Sequence, residues 1–227
     1  MRRRTVNPWP VAIFVATLCS GHAWAACNNP PRPQVEWTGC TKASLMLTGE
    51  DLTGARLDQS NFSSTNLRNA KLAGASLTKV NLQGAILAGS DLRGANLTDA
   101  FGSRANFSGA VLAKANVSKA ELFRSVFTKA DLTDAVVNGA QLSRADFREA
   151  RFNRTDFTNA NLSRSDLRNT NLSDANLRGA YLFRTKVEGA DLSTVKGLQA
   201  QQLELACGDV GTRLPSGIER PAHWPCR

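Results

Sequence analysis

Arginine recurs at Arg104, Arg124, Arg144, Arg164 and Arg184, one every twenty residues. A guanidinium carries a permanent charge and five forked donors, so such a series could hold an anionic ligand. Phe101, Phe123, Tyr181 and Phe183 sit next to these positions and could add ring contacts to cations or apolar groups. Nothing comparable points to catalysis. His223 lies between Ala222 and Trp224 with no triad partner or metal-ligand set in reach of its spacing. Gly84–Gly89 fits neither a phosphate-cradling loop nor a dinucleotide fingerprint. The sequence predicts no enzyme, no cofactor and no metal.

The N-terminus sets the compartment. Arg2, Arg3 and Arg4 precede the apolar run Val11–Leu18, and Ala23-Trp24-Ala25 follows as a small-x-small site. That order predicts a bacterial-type signal peptide over 1–25, cleaved after Ala25, and a periplasmic or secreted protein. The run is too short for a membrane span, and no later segment is long and apolar enough for one. Export leaves Cys27, Cys40, Cys207 and Cys226, an even set without C-x-x-C spacing, which reads as disulfides with three connectivities open. Removing the three leader arginines takes the chain from +9 to +6, with 25 basic residues against 19 acidic. Such a moderate positive charge favours anionic partners weakly.

The chain between 47 and 192 must position these residues. An apolar residue returns there every fifth position, from Leu47, Leu52 and Leu57 through Phe107 and Phe157 to Leu192. Of thirty successive positions only Gly102 breaks the series. Two residues earlier, the column from Ala55 to Ala190 holds only Ala, Ser, Thr and Val80. A helix would smear a five-residue period around its surface, and a strand would throw successive members to opposite faces. A chain that turns a corner after each pentad keeps both columns inside. At Gly102 the core either has a small gap or takes Phe101 inward.

The units Ala95-Asn96-Leu97-Thr98-Asp99, Ala145-Asp146-Phe147-Arg148-Glu149 and Ala175-Asn176-Leu177-Arg178-Gly179 resemble the A-(D/N)-L-x-x repeat of pentapeptide-repeat proteins. The resemblance implies an all-β fold, a right-handed quadrilateral β-helix with four pentads per coil. Its coils would stack at ~4.8 Å, giving a rod of roughly 36 Å. The recurring Asp91, Asn96, Asn106, Asp131, Asp146, Asp156, Asp166 and Asn171 are then turn residues that bond nearby backbone, not catalytic carboxylates.

A solenoid exposes core at both ends and needs caps. Residues 26–46, with Pro30, Pro31, Pro33 and Trp37, are expected to form the N-terminal cap, the β-helix to span 47–195, and 196–227 to form the C-terminal cap. Within the last, Leu198–Ala206 reads as a short helix and the remainder as an irregular strap. On a rod that long, disulfides must be local, so Cys27 is expected to pair with Cys40 and Cys207 with Cys226.

Residues twenty apart would stack on one side of such a rod. The five arginines and four aromatics then share a face, whereas Lys114, Asp134, Arg154 and Asp174 alternate in sign as a surface ion-pair ladder. The arginine column admits two readings. It could be an interaction face, or its members could pair with Asp146, Asp166 or Glu121 while Phe123 and Phe183 shelter their stems. The sequence points to an exported scaffold that binds a protein or an anionic glycan of the cell envelope. The alternatives are a DNA mimic that protects topoisomerase, which basic charge and export disfavour, and an envelope enzyme with an unrecognised site. Nucleic acid is an unsuitable ligand in that compartment. The resemblance implies that pairing through C-terminal faces is common, which leaves a dimer open.

Overall fold

A computed structural model describes residues 27–225. The signal peptide expected at 1–25, and Cys226, lie outside the described residues.

Each pentad makes one extended step and one turn. In the unit around Leu57, the Ser60 amide donates to the Leu57 carbonyl at 3.2 Å, and the intervening Gln59 has φ 57°. A turn whose third residue has positive φ follows the type II pattern. Four such turns bring the chain back above itself. Parallel bridges link Glu36 to Arg56 and Arg56 to Ser76, and the twenty-residue interval holds in steps of five to Asn176–Lys196. The result is a four-sided solenoid of isolated bridges. It has no continuous strands among the described residues, because the chain turns before a second residue on the same side can pair.

The backbone amides are accounted for pentad by pentad. Arg56 donates to Val35 of the coil before, and Leu57 and Gln59 donate to Ser76 and Thr78 of the coil after. Ser60 closes the turn. The remaining amide is taken by a side chain where Asn or Asp precedes the central residue: Ser63 donates to Asn61 Oδ1 at 3.0 Å and Thr98 to Asn96 Oδ1 at 3.1 Å. All eight Asp and Asn residues predicted as turn formers accept such a bond.

Both predicted columns are buried. Removing each Leu or Phe from water contributes about 1.5–3 kcal/mol. Phe107, Phe127 and Phe147 stack at 4.7 and 5.0 Å between ring centroids, and Phe152 meets Phe147 edge-on at 5.3 Å. Hydroxyls fit the small column because carbonyls satisfy them: Thr155 Oγ1 donates to Leu132 O at 2.8 Å and Ser125 Oγ to Gly102 O at 2.7 Å.

Neither reading of Gly102 holds. Phe101 is 46 % exposed on the outer surface. The space is taken by Leu122 of the next coil, whose Cδ2 would lie 2.6 Å from a Cβ added to Gly102.

The coils begin earlier than Leu47. Val35 and Trp37 occupy the small and large columns, fully buried, and Thr41 and Met46 bridge to Asn61 and Asn66. Pro33 stands at the second position of a turn closed by Val35 onto Arg32, where a fixed φ is favoured. Lys42 stands in the large column, which hid this coil from an apolar count. It is 8 % exposed, its Nζ donates to Cys27 O at 2.6 Å and lies 3.7 Å from the Trp37 ring centroid. Burial lowers its pKa. The Cys27–Cys40 disulfide is present, and Trp37 packs on Phe62 at 6.2 Å.

At the other end Lys186 bridges to Cys207 and Asp191 to Arg213, so one and then two extra residues enter the coil. A short helix, α1 (Ala200–Leu203), sits in the coil that takes the first extra residue. Gln202 Nε2 fastens it by donating to Leu177 O and Ala180 O at 2.9 and 2.8 Å. The predicted strap therefore still carries coil residues. Trp224 closes the end: its Nε1 donates to Ala206 O at 2.9 Å, and its ring fills the space a Cβ on Gly208 would need. Cys207 is disulfide-bonded; its expected partner Cys226 lies outside the described residues.

Candidate interaction face

Bridges from Phe101 to Glu121, Gln141, Asn161 and Tyr181 define one side of the solenoid. Arg104, Arg124, Arg144, Arg164 and Arg184 occupy its corner, exposed and one per coil, each with φ between 52° and 60°. Phe123 and Phe183 lie half-buried one residue before their arginines, while Phe101 and Tyr181 are exposed. All nine predicted residues are therefore brought to one face.

None of the five arginines makes an ion pair with another described residue. Two of the three partners considered from sequence are engaged elsewhere, and Glu121 pairs with none of the five. Asp146 pairs with Arg148 at 2.7 Å and Asp166 with Arg168 at 2.6 Å, each within its own pentad. The Arg148 hydrogen bond lowers the Asp146 pKa against the opposing effect of burial. For Asp166 burial acts to raise the pKa and is outweighed by bonds from Arg168. The second column forms its ladder in part, with Arg154 Nε 2.6 Å from Asp134 and Lys196 3.9 Å from Asp174.

The side has also given up turn bonds that other sides keep. Between 101 and 184 its bridging residues are Phe101, Glu121, Gln141, Asn161 and Tyr181, and only Asn161 accepts from the turn amide, that of Ser163 at 3.1 Å. A bond of that kind contributes about 1 kcal/mol. Glu121 is the single carboxylate among the bridging, turn and corner residues of this stretch.

At its C-terminal end the face is organised by rings. Tyr181 and Phe183 stack nearly parallel at 6.2 Å, and Phe183 lies 6.0 Å from the Arg164 guanidinium and 5.4 Å from that of Arg184. Phe183 thus meets the charged heads of both arginines. Two shallow depressions of ≈ 310 Å³ open at the other end, one against Arg104, Phe123 and Arg124, the second against Asn81, Gln83 and Phe101. A third, of ≈ 410 Å³, joins Tyr181 to Asn159, Gln199 and Gln202. The glutamines of α1 were missed as part of this face, although the run Gln199-Ala-Gln-Gln was a signal. His223 borders the C-terminal end of the face, 3.5 Å from Glu204 in an open groove shared with Phe183, Arg184, Lys186 and Glu188.

A family model described as pentapeptide repeat region matches residues 103–177, and one for pentapeptide repeats matches 47–84, 75–101 and 160–196. The chain belongs to the pentapeptide-repeat family. Among solved structures, the pentapeptide-repeat protein HetL of the cyanobacterium Nostoc sp. strain PCC 7120, involved in heterocyst differentiation regulation, is 29% identical over 86% of this chain and 95% of its own. Its TM-score is 0.54. QnrB1, a plasmid-mediated fluoroquinolone resistance protein, is 21% identical over 79% of this chain and 91% of its own, with a TM-score of 0.33. A pentapeptide-repeat protein of the Arabidopsis thaliana thylakoid lumen is 28% identical over 53% and 70%, with a TM-score of 0.22. No curated protein matches. In this pentapeptide-repeat chain the inward columns are filled, so sequence freedom is confined to the bridging, turn and corner residues.

Proposed function

We propose that this pentapeptide-repeat chain is an exported, non-catalytic scaffold, a right-handed quadrilateral β-helix that presents its arginine–aromatic face to an anionic partner in the cell envelope. The observation that carries this reading is the column of five exposed arginines, one per coil, none with an ion-pair partner among the described residues, whereas Arg93, Arg148, Arg154 and Arg168 elsewhere on the surface are each held by a carboxylate. Like charges about 4.8 Å apart repel, and a bound polyanion would relieve that repulsion. The basic leader and apolar run before Ala25 support export. A DNA mimic would need a strongly acidic rod, and this chain carries a formal +9.

The test compares the wild type with Arg124→Glu/Arg144→Glu/Arg164→Glu in binding to isolated cell envelopes at physiological salt. Binding should fall while the thermal midpoint stays unchanged. Equal binding by the two proteins would reduce the face to surface decoration.

A further inference from the structure

We propose that the occupant of this face is a linear acidic polysaccharide, lying along the rod axis with a uronate carboxylate at every second arginine. The proposal rests on reading the face as an anion-binding surface and adds the chemistry of what it binds.

Spacing separates the polyanions. The arginines follow the coil repeat of ~4.8 Å, because each amide Arg104, Arg124, Arg144 and Arg164 is bonded to the next coil. Phosphates on one strand of a duplex advance by ~3.4 Å, and carboxylates on one side of an extended peptide by about 6.6–6.8 Å. Both fall out of step with the column within a few coils. A pyranose linked through opposite ring positions advances by about one ring length, between those two values. Successive sugars of such a chain turn their carboxylates to opposite sides, so every second sugar can offer its carboxylate to every second guanidinium, which grips it through two parallel N–H donors.

The surroundings fit sugar hydroxyls and ring faces. Between the arginines stand Gln141, Ser143, Asn161 and Ser163, and the Asn161 amide is already oriented by a bond to Gln141 Oε1 at 3.1 Å. Amides and hydroxyls both donate and accept, as sugar hydroxyls require. The column carries no lysine. The Tyr181–Phe183 stack, with Tyr181 50 % exposed, offers a flat surface to the C–H face of a pyranose, beside the exposed Gln199 and Gln201. At the opposite end Phe101 and Phe123 line two separate depressions, that of Phe101 shared with Glu121. The track therefore has aromatic ends and an arginine middle.

The purified protein would be titrated calorimetrically with galacturonate oligomers of two to eight sugars in about 0.15 M salt. Their methyl esters, a polyphosphate and a poly-glutamate of matched charge would serve as comparisons. Uronate affinity should rise with length to five sugars, whose first, third and fifth carboxylates reach Arg104, Arg144 and Arg184, then level off, and should vanish on esterification. Arg144→Gln and Tyr181→Ala, checked for unchanged thermal midpoints, should each weaken the pentamer by about tenfold. Polyphosphate or poly-glutamate binding as tightly as the uronate pentamer would overturn the sugar assignment and leave an anion-binding face. Uronate binding that ignores length or Arg144→Gln would also overturn it. Binding of no polyanion at all would overturn both this proposal and the interaction face beneath it.

Discussion

Holding Arg104 through Arg184 at positive φ costs about 1–2 kcal/mol per residue relative to ordinary backbone, which Gly94 at an equivalent corner avoids. Glycine in turn costs about 0.5–1 kcal/mol of chain entropy. Arg144→Gly should therefore move stability by no more than about 1 kcal/mol in urea unfolding while weakening anion binding. Leu122 gives a different result, because it fills its own site and the space beside Gly102. Leu122→Ala should lie near the upper end of the 2–5 kcal/mol range for core truncation. It should exceed Leu142→Ala one coil further on, as denaturant midpoints would show. Sequence could mark Gly102 as anomalous but not name its filler, since Phe101 and Leu122 are both apolar and only the fixed turn geometry decides which faces in. Lys42 poses a similar problem. Its pKa is lowered by burial, so in the window between that value and the unfolded one the unfolded chain binds more protons and stability rises with pH. Lys42→Met should remove that rise, measured by thermal midpoints from pH 8 to 11.

At the scale of the pentad, each turn is fixed by one residue with positive φ and, where Asn or Asp precedes the apolar residue, by one accepted amide bond. Arg93, Arg148 and Arg168 exploit the same carboxylates two residues back, adding paired bonds to Asp91, Asp146 and Asp166. This local pairing is why pairing between Asp146 or Asp166 and the arginine column failed: the nearer arginine is held by its own turn. The Arg93 hydrogen bond is the largest influence lowering the Asp91 pKa, as that of Arg148 is for Asp146. Their contribution is therefore complete above the unfolded carboxylate pKa and is lost as pH falls through the lower folded values. Asp146→Asn should flatten the acid limb of the stability curve below about pH 4, followed by circular dichroism. The five-residue period was legible because every inward site repeats it. The first coil was not, since Trp37 is followed by Lys42 where an aliphatic was awaited. The last was not, since the insertions before Cys207 and Arg213 break the count while the bridges continue.

Over the whole molecule, each coil touches only its neighbours, so stability is a sum of local contributions that the ends can lose first. The Cys27–Cys40 bridge, thirteen residues apart, closes the first coil under Trp37 and Lys42. Its removal should cost about 3 kcal/mol on loop-closure grounds. Hydrogen exchange should then rise in residues 35–60 while amides near Phe127 stay protected. Function was less legible than fold for a physical reason: the inward residues are constrained by a filled core, while the outward ones answer to a ligand the chain does not encode. Only the concentration of arginines and rings on a single side marks where to look.

The twenty-residue interval between bridged positions also separates the unit of folding from the unit of inheritance. Loss or gain of five residues preserves the alternation of buried columns yet rotates everything downstream by a quarter turn. Arg144 and its successors would then continue beneath a different neighbour, and the track would break at the point of the change. Loss or gain of twenty leaves every later residue under its old neighbour and alters only the length of the track. A lineage of such chains can therefore lengthen or shorten what it grips in whole rungs, whereas a single repeat, the smaller genetic step, scrambles the surface while sparing the interior.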